Sequence, residues 1–187
     1  MIIVLCGKSA CGKDTLLKEL IKDGFEPLIS TTSRPMREGE VDGREYYFIS
    51  REEFKQRLAS DRFIEYRIYH TLVNNIPDDW YYGMEKREFD PNKNYIVILD
   101  IEGTEAFKHI YGNQVFAIYI DAHDEQRTKW AQSRGSFDET EWNRRLADDN
   151  IKFSTSKVST ACDYTISNTG TFEELKNKFK KALDNLV

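Results

Sequence analysis

A short glycine-containing loop between an apolar run and an amphipathic stretch constrains this chain more than any other feature. The loop reads Gly7-Lys8-Ser9-Ala10-Cys11-Gly12-Lys13; apolar residues 2–6 precede it, and residues 13–21 place leucines on one helical face. This is the GxxxxGK part of a Walker A motif, in which glycines let backbone N–H groups turn around phosphate oxygens. The helix N-terminus and the lysine add positive charge. The pattern predicts a phosphate-binding turn where a buried strand enters a helix.

The position after the lysine departs from the motif. Asp14 stands where a Ser or Thr ordinarily ligates Mg²⁺, and Thr15 follows it. A carboxylate is a good Mg²⁺ ligand but a poor neighbour of phosphate, so Asp14 contacts the metal, binds it through water or points away, and Thr15 offers a hydroxyl. Asp100 ends another apolar run and is a third metal candidate, because ligands of α/β proteins bind where strands end. Capping the following helix is its alternative role.

Apolar runs alternate with helical stretches along the chain. Four runs are predicted to be buried strands of a parallel sheet with helical crossovers: residues 2–6, 95–99, 115–120 and 164–166. Residues 30–88 are instead rich in Tyr, Arg and turn residues, with strand-like segments at 46–49 and 63–69. Capping boxes at 50–53 and 171–174 predict helix starts. The dense charges of residues 121–150 predict a mobile, exposed helical flap.

Bulk composition excludes several classes of protein. The 187 residues carry 27 Lys and Arg against 32 Asp and Glu, and this net charge of −5 opposes binding to nucleic acid through overall charge. No run approaches the ~18–20 apolar residues of a membrane span, and no basic segment precedes the first apolar run as in a secretory signal. The three cysteines, Cys6, Cys11 and Cys162, predict free thiols in a reducing compartment, the cytoplasm.

Further motifs follow the loop in chain order, and together they resemble the guanylate kinase family. They are Ser30–Phe48 with its Arg-Pro-Met-Arg, Ser50–Phe54, Phe63–Tyr66 and Tyr81–Gly83. The resemblance covers nearly the whole chain and implies an α/β fold with a P-loop three-layer core around a parallel sheet. The implied parts are a core at 1–29, 89–120 and 151–187, an inserted mixed-sheet monophosphate-binding region at 30–88, and a helical lid at 121–150. The implied reaction is transfer of the γ-phosphoryl group of ATP to GMP or dGMP with Mg²⁺.

The resemblance also implies the residues that bind ATP. They are Gly7, Lys8, Ser9, Ala10, Cys11, Gly12, Lys13, Asp14, Thr15 and, beside the adenine, Asn168. Lys13, Arg134 and Arg145 are the implied catalytic residues, since phosphoryl transfer needs charge stabilisation more than a covalent group. The family's other lid arginine falls on Trp130. Either Arg127 or Lys129 substitutes for it, or the indole stacks on adenine.

The implied acceptor site combines arginines, tyrosines and acids. Its members are Ser30, Arg34, Arg37, Tyr46, Glu65, Tyr82, Asp100 and Glu102. Arg34 and Arg37 are three residues apart in a turn, and two guanidiniums can fork onto one phosphate. Glu65 offers two acceptors side by side, which match the N1–H and 2-amino donors of guanine.

Base recognition is where the chain departs from the family pattern. Met84 replaces a Ser or Thr, Glu102 replaces an Asp, and the segment between Glu65 and Tyr82 is long. Because moving one polar contact can relax selectivity, another (deoxy)nucleotide remains open as the acceptor. The alternatives are a phage-type deoxynucleoside monophosphate kinase, a ribose-bisphosphate phosphokinase and a non-catalytic guanylate-kinase-like module that binds phosphopeptides. The expected partners are ATP and a (deoxy)nucleoside monophosphate, with no nucleic acid or membrane.

Overall fold

The computed structural model of the protein describes residues 1–73, 76–133 and 137–184. The chain divides into two compact units, which we call the core unit (Met1–Pro27 with Pro91–Val187) and the inserted unit (Leu28–Asp90). In the described part of the chain, no helix combines the length and the apolar character that crossing a membrane requires.

The helices and strands alternate through most of the chain. In chain order they are β1 (Ile2–Cys6), α1 (Lys13–Lys22), β2 (Glu26–Pro27), β3 (Thr31–Thr32), β4 (Tyr47–Phe48), α2 (Arg51–Ala59), β5 (Phe63–Val73), β6 (Ile76–Glu85), β7 (Tyr95–Ile98), α3 (Ile101–Tyr111), β8 (Val115–Asp121), α4 (Asp124–Gln132), α5 (Glu139–Lys152), α6 (Thr155–Ala161), β9 (Tyr164–Ser167) and α7 (Phe172–Asp184).

The core unit is built on a parallel sheet with the strand order β2-β7-β1-β8-β9. Ile2 at the start of β1 pairs with Tyr95 on one side and with Val115 on the other. Every residue of β1 is buried, as expected for a strand covered on both faces by helices. The four strands predicted from apolar runs correspond to β1, β7, β8 and β9 to within a residue, and the predicted α/β class is confirmed.

Helices from different parts of the chain cover the two faces of this sheet. On one face Leu16 of α1 and Phe179 of α7 join the cluster that contains Leu5 and Ile118. On the other face Ile101 of α3 and Ala161 of α6 pack with Cys6 and Tyr119. The capping box that predicts α7 is present, because Thr171 N–H donates to Glu174 Oε2 (2.7 Å) and Glu174 N–H donates to Thr171 Oγ1 (3.3 Å).

The inserted unit contains a mixed sheet with the strand order β4-β3-β6-β5. Helix α2 begins after Ser50, whose Oγ accepts the Glu53 N–H at 3.1 Å, as the sequence predicts. Phe54 of α2 stacks on Phe63 with ring centroids 4.3 Å apart and packs on Tyr81. The strand predicted at 63–69 is longer in the structure, since β5 runs to Val73 and pairs along its length with β6. The long segment after Glu65 thus extends a hairpin.

The predicted exposed flap at 121–150 forms α4 and most of α5. The prediction of exposure is wrong for Arg127, Trp142 and Asp149, which are buried. Arg127 and Asp149 are an ion pair with Nη1 and Oδ2 2.8 Å apart, and the indole of Trp142 lies beside the guanidinium. Burial of these charges is possible because each has a charged partner, which a pattern based on hydropathy alone does not detect.

Candidate active site

The phosphate loop, residues 7–13, joins β1 to α1 in a conformation that depends on its glycines. Gly12 has φ +102° and Gly7 has φ +154°. A Cβ at Gly12 would lie 2.7 Å from Asn168 Nδ2, and one at Gly7 would lie 2.6 Å from the Ile120 carbonyl oxygen. Both the positive φ at Gly12 and the close neighbours exclude side chains at these two positions. The loop therefore retains the tight shape that lets backbone N–H groups approach phosphate.

Lys13 folds back over the loop that precedes it. Its ammonium donates to the carbonyl oxygens of Gly7 (2.6 Å) and Lys8 (2.7 Å). Beside it Cys11 is buried, and burial raises the pKa of the thiol while the Lys13 charge partly opposes this rise. Cys11 is thus a neutral packing group, whereas Lys13 is a cation held against the loop by two carbonyl oxygens.

Ser9, in the middle of the loop, is bound through both of its backbone groups by side chains of α4 and α5. Its N–H donates to Asp149 Oδ2 (2.8 Å) and its carbonyl oxygen accepts from Arg127 Nη1 (2.7 Å). Asp149 is a candidate site residue that no sequence motif indicates, and the sequence predicts Arg127 only as one alternative to the missing lid arginine. No local pattern marks this pair, because its members meet only when α4 and α5 pack together.

A cavity of about 300 Å³ opens beside the loop. It is lined by Ala10, Gly12, Thr15, Trp130, Ser133, Asn168, Gly170, Phe172 and Leu175. Asn168 donates from Nδ2 to the Cys11 carbonyl oxygen at 2.9 Å, and this bond fixes its amide beside the cavity. The cavity combines aromatic groups with a fixed polar one, which suits a planar heterocycle.

The candidate metal and acceptor acids of the core unit lie at helix starts. Asp14 and Thr15 are exposed in the first turn of α1, directly after Lys13. Asp100 caps α3, since its Oδ1 accepts the Gly103 N–H at 2.8 Å, and Glu102 is exposed in the same first turn. Within residues 1–73, 76–133 and 137–184, no group of three or more His, Cys, Asp or Glu side chains could hold a metal. Magnesium carried by nucleotide phosphates needs only one or two carboxylates, so the exposed Asp14 fits that ion.

The structure describes one of the two predicted lid arginines. Arg145 is exposed on α5, and its Nε donates to Glu141 Oε1 at 2.8 Å. Arg144 binds the same carboxylate, and the two guanidiniums lower the pKa of Glu141 to about 2. Arg134 lies outside the described residues. Trp130, where the family has a lid arginine, instead forms part of the cavity wall.

In the inserted unit, Arg34 is held by a carboxylate and by aromatic rings. Its side chain is 3% exposed, and Nη2 donates to Glu40 Oε1 at 2.7 Å. This bond raises the pKa of Arg34 further. The guanidinium lies 5.6 Å from the ring centroids of both Tyr46 and Phe48. Arg37 is exposed, and its backbone N–H donates to the other oxygen of Glu40 at 2.7 Å.

The remaining acceptor candidates share one face of the mixed sheet. In the β5–β6 pair Glu65 is opposite Met84 and Arg67 is opposite Tyr82, and opposed residues point to the same side. Glu65 Oε2 lies 3.2 Å from Arg67 Nη1. Met84 is buried, so its thioether packs inside the unit.

Tyrosines and a serine complete this group in the inserted unit. Tyr82 makes edge contacts with Tyr46 and with Tyr69, at centroid distances of 5.7 and 5.4 Å. Ser30 is half-buried, and its carbonyl oxygen accepts the Tyr47 N–H at 2.9 Å. The tyrosines thus join the Arg34 site to the sheet face that carries Glu65.

A parallel sheet with a phosphate loop between its central strand and the first helix defines a P-loop phosphate-binding protein. Within that class, a family model described as guanylate kinase matches residues 1–186, and the chain belongs to the guanylate kinase family. The resemblance seen in the motifs is therefore confirmed.

Individual relatives agree with this assignment, and a solved structure shares the fold. The chain is 36% identical over 126 residues to the guanylate kinase of Porphyromonas gingivalis, covering 64% of this chain and 63% of that protein. It is 35% identical over 141 residues to that of Clostridium acetobutylicum, covering 73% and 64%. The matches thus span slightly less than two thirds of these curated relatives. A crystal structure of guanylate kinase from Anaplasma phagocytophilum shares the fold, with a TM-score of 0.64 at 21% identity over 100% of this chain and 86% of that one.

Proposed function

We propose that this protein is a cytoplasmic nucleoside monophosphate kinase, which transfers the γ-phosphoryl group of ATP to GMP or dGMP with Mg²⁺. The observation that carries the proposal is the phosphate loop with Lys13 folded over it, Nζ lying 2.6 Å from the Gly7 carbonyl oxygen. This ammonium is poised to exchange carbonyl partners for phosphate oxygens. The free thiols of the described cysteines suit a reducing compartment.

The cavity beside the loop supports ATP as the donor. Asn168 lines the cavity with its amide held by the Cys11 carbonyl oxygen. An amide offers an acceptor for the 6-amino group of adenine and a donor for a ring nitrogen. Trp130 offers an indole face for the base in place of the family's arginine. These two residues therefore suit the adenine of ATP.

The inserted unit supports a purine monophosphate with a guanine edge as the acceptor. Arg34 and Arg37 are the phosphate ligands, helped by the hydroxyls of Tyr46 and Tyr82. The Arg34 guanidinium already has one carboxylate partner at 2.7 Å, so phosphate binding exchanges one anion for another. Glu65 reads the base with two parallel acceptors, and Ser30 adds a contact. Asp100 and Glu102, at the start of α3, complete the proposed acceptor set.

The chemistry requires no strong base. An oxygen of the acceptor monophosphate attacks the γ-phosphorus of ATP, the bond from that phosphorus to the β–γ bridging oxygen breaks, and ADP leaves. Lys13 with the lid arginines Arg134 and Arg145 neutralises the charge that spreads over the transferred group. Asp14, Thr15 and Asp100 are the residues that would hold Mg²⁺. That ion supplies further neutralisation of phosphate charge when it is bound with the nucleotide.

A coupled assay of ATP consumption over all eight ribo- and deoxynucleoside monophosphates tests this function. We expect turnover with GMP and dGMP, and a loss on the order of 10²–10³-fold in kcat for Lys13→Ala, as for removal of a group that stabilises transition-state charge. Lys18→Ala, on an exposed position of the same helix, is the matched control. Turnover by another monophosphate would identify the phage-type kinase, and turnover by none would favour the phosphopeptide module or the sugar-phosphate kinase.

The base-reading role has a separate test. Glu65→Ala should lower kcat/KM for GMP relative to AMP, while the phosphate subsite stays intact. Glu52→Ala, on the exposed side of α2, should leave this ratio unchanged. An unchanged ratio in Glu65→Ala would refute the assignment of Glu65.

A further inference from the structure

We propose that Asp149 and Arg127 are positioning residues for the phosphates of the donor nucleotide, because their buried ion pair holds Ser9 and so sets the shape of the phosphate loop. The inference rests on the proposed function, since it assigns a nucleotide to this loop. Both residues lie on helices that follow the loop by more than a hundred positions, and neither belongs to the phosphate-loop motif.

The contacts form a closed ring around one residue of the loop. Ser9 N–H donates to Asp149 Oδ2 at 2.8 Å, and the Ser9 carbonyl oxygen accepts from Arg127 Nη1 at 2.7 Å. The same Nη1 donates to Asp149 Oδ2 at 2.8 Å and closes the ring. The Ser9 hydroxyl adds a bond to Asp149 Oδ1 at 3.3 Å. With its donor and acceptor both engaged, the Ser9 peptide has little freedom to rotate.

Burial makes the ring a fixed part of the structure. The Arg127 side chain is 0% exposed and that of Asp149 is 9% exposed. Arg127 is further held by Asp124, whose Oδ1 lies 2.8 Å from Nη2, and by the indole of Trp142. A buried charge that loses its partner is left uncompensated at high cost, so the pair stays together when a nucleotide enters.

The Arg127 side chain reaches the phosphate loop at a cost to its own hydrogen bonding. Its Nε is buried without a hydrogen-bond partner in the part of the chain that the structure describes. A buried donor without an acceptor is unfavourable, and such groups in folded proteins call for a compensating role. The compensation is that Nη1 reaches Ser9 and Asp149 together.

The ring affects phosphate binding through both shape and charge. Because Asp149 occupies the Ser9 N–H, the phosphate oxygens are left to the N–H groups that follow, towards Gly12 and the start of α1. A carboxylate so close to the loop would repel phosphate unless Arg127 neutralised it. Loss of Arg127 therefore loosens the loop and exposes the nucleotide to an unpaired negative charge, and both effects weaken binding.

The test measures MgATP affinity by titration calorimetry without an acceptor, together with thermal unfolding. Arg127→Met should raise the Kd at least 10-fold. The control is Arg144→Met. Arg144 lies on α5 and its side chain is 56% exposed, so this variant should bind MgATP as the wild type does. Wild-type affinity in Arg127→Met would overturn the proposal.

A double variant separates positioning from stability. In Arg127→Met/Asp149→Leu the buried charges are replaced as a pair, and such replacement commonly restores stability. We expect the melting temperature to recover while the Kd stays at least 10-fold raised, because nothing holds Ser9. Recovery of both would show that the pair only stabilises the fold and would refute the positioning role.

Two further outcomes are decisive. Where Arg127→Met does not fold, Arg127→Lys keeps the charge but not the planar fork, and it should weaken MgATP at least 3-fold; an unchanged Kd overturns the proposal. A wild-type protein that binds MgATP but phosphorylates no monophosphate would refute the proposed function and leave this inference standing. A wild type that binds no MgATP would refute both.

Discussion

Replacing Gly12 with alanine probes the tightest point of the phosphate loop, and the chain offers a matched control. Gly12 and Gly24 have nearly the same positive φ, +102° and +98°. Their surroundings differ, because a Cβ at Gly12 would lie 2.7 Å from Asn168 Nδ2, whereas one at Gly24 would meet nothing within 4 Å. The pair therefore separates backbone strain from collision.

The expected magnitudes follow from these two terms. Placing a residue with a side chain at a positive φ costs about 1–2 kcal/mol of folding free energy, and this cost applies to both variants. At Gly12 the methyl group must also displace the Asn168 amide, whose bond to the Cys11 carbonyl oxygen contributes about 0.5–1.5 kcal/mol. For a protein of this size about 2–4 °C in Tm corresponds to each kcal/mol, so Gly12→Ala should melt roughly 1–6 °C below Gly24→Ala.

Calorimetric unfolding and MgATP titration of the two variants provide the assay. Gly24→Ala should bind MgATP normally, while Gly12→Ala should bind it weakly because the displaced Asn168 lines the cavity. Adding Asn168→Ala to Gly12→Ala removes the collision. The double variant should therefore lose about 0.5–1.5 kcal/mol less unfolding free energy than the sum of the two single variants. Equal melting temperatures for the two glycine variants, or strict additivity with Asn168→Ala, would refute the reasoning.

Three further changes test features outside the loop. Glu141→Gln should lower the urea midpoint at pH 7. Arg144 and Arg145 hold the folded-state pKa of Glu141 at about 2, below its ordinary 4.5. The difference in urea midpoint between variant and wild type should therefore shrink as the pH falls from 4.5 towards 2. An effect independent of pH would contradict this cause. Ser50→Ala should cost about 1 kcal/mol in urea unfolding through loss of the α2 cap, and Ser50→Asp should cost almost nothing. Phe54→Ala should cost about 3–5 kcal/mol, since this ring is fully buried, and a cost below about 1 kcal/mol would show that the site collapses freely.

Local causes account for the parts of the structure that the sequence could predict. Apolar runs with helical stretches between them specify β1, β7, β8 and β9, and two capping boxes specify where α2 and α7 begin. For Asp100 the sequence leaves two roles open: a ligand of the metal or the acceptor, and a helix cap. In the structure Asp100 caps α3, and this does not exclude the role as a ligand.

Features that depend on distant partners were not predictable in this way. The extension of β5 to Val73 depends on pairing with β6, and its residues have no strong alternation of their own. Arg127 and Asp149 are separated by 22 positions and lie in a segment whose high charge suggests a solvated surface. The pair forms because α4 packs against α5. Ser9, which both side chains bind, is more than a hundred residues away.

The place of β1 in the core sheet has a consequence for how the chain is made. Its neighbours are β7 and β8, which follow it by about ninety and more than a hundred residues. At the ~5–20 residues per second of protein synthesis, β1 therefore waits roughly 6–24 s on the ribosome before both neighbours exist. During that interval an apolar strand with unsatisfied backbone groups is exposed to nascent-chain aggregation. Slower translation through residues 30–90 should thus lower the yield of folded protein, and a chaperone that shields the first strand should restore it.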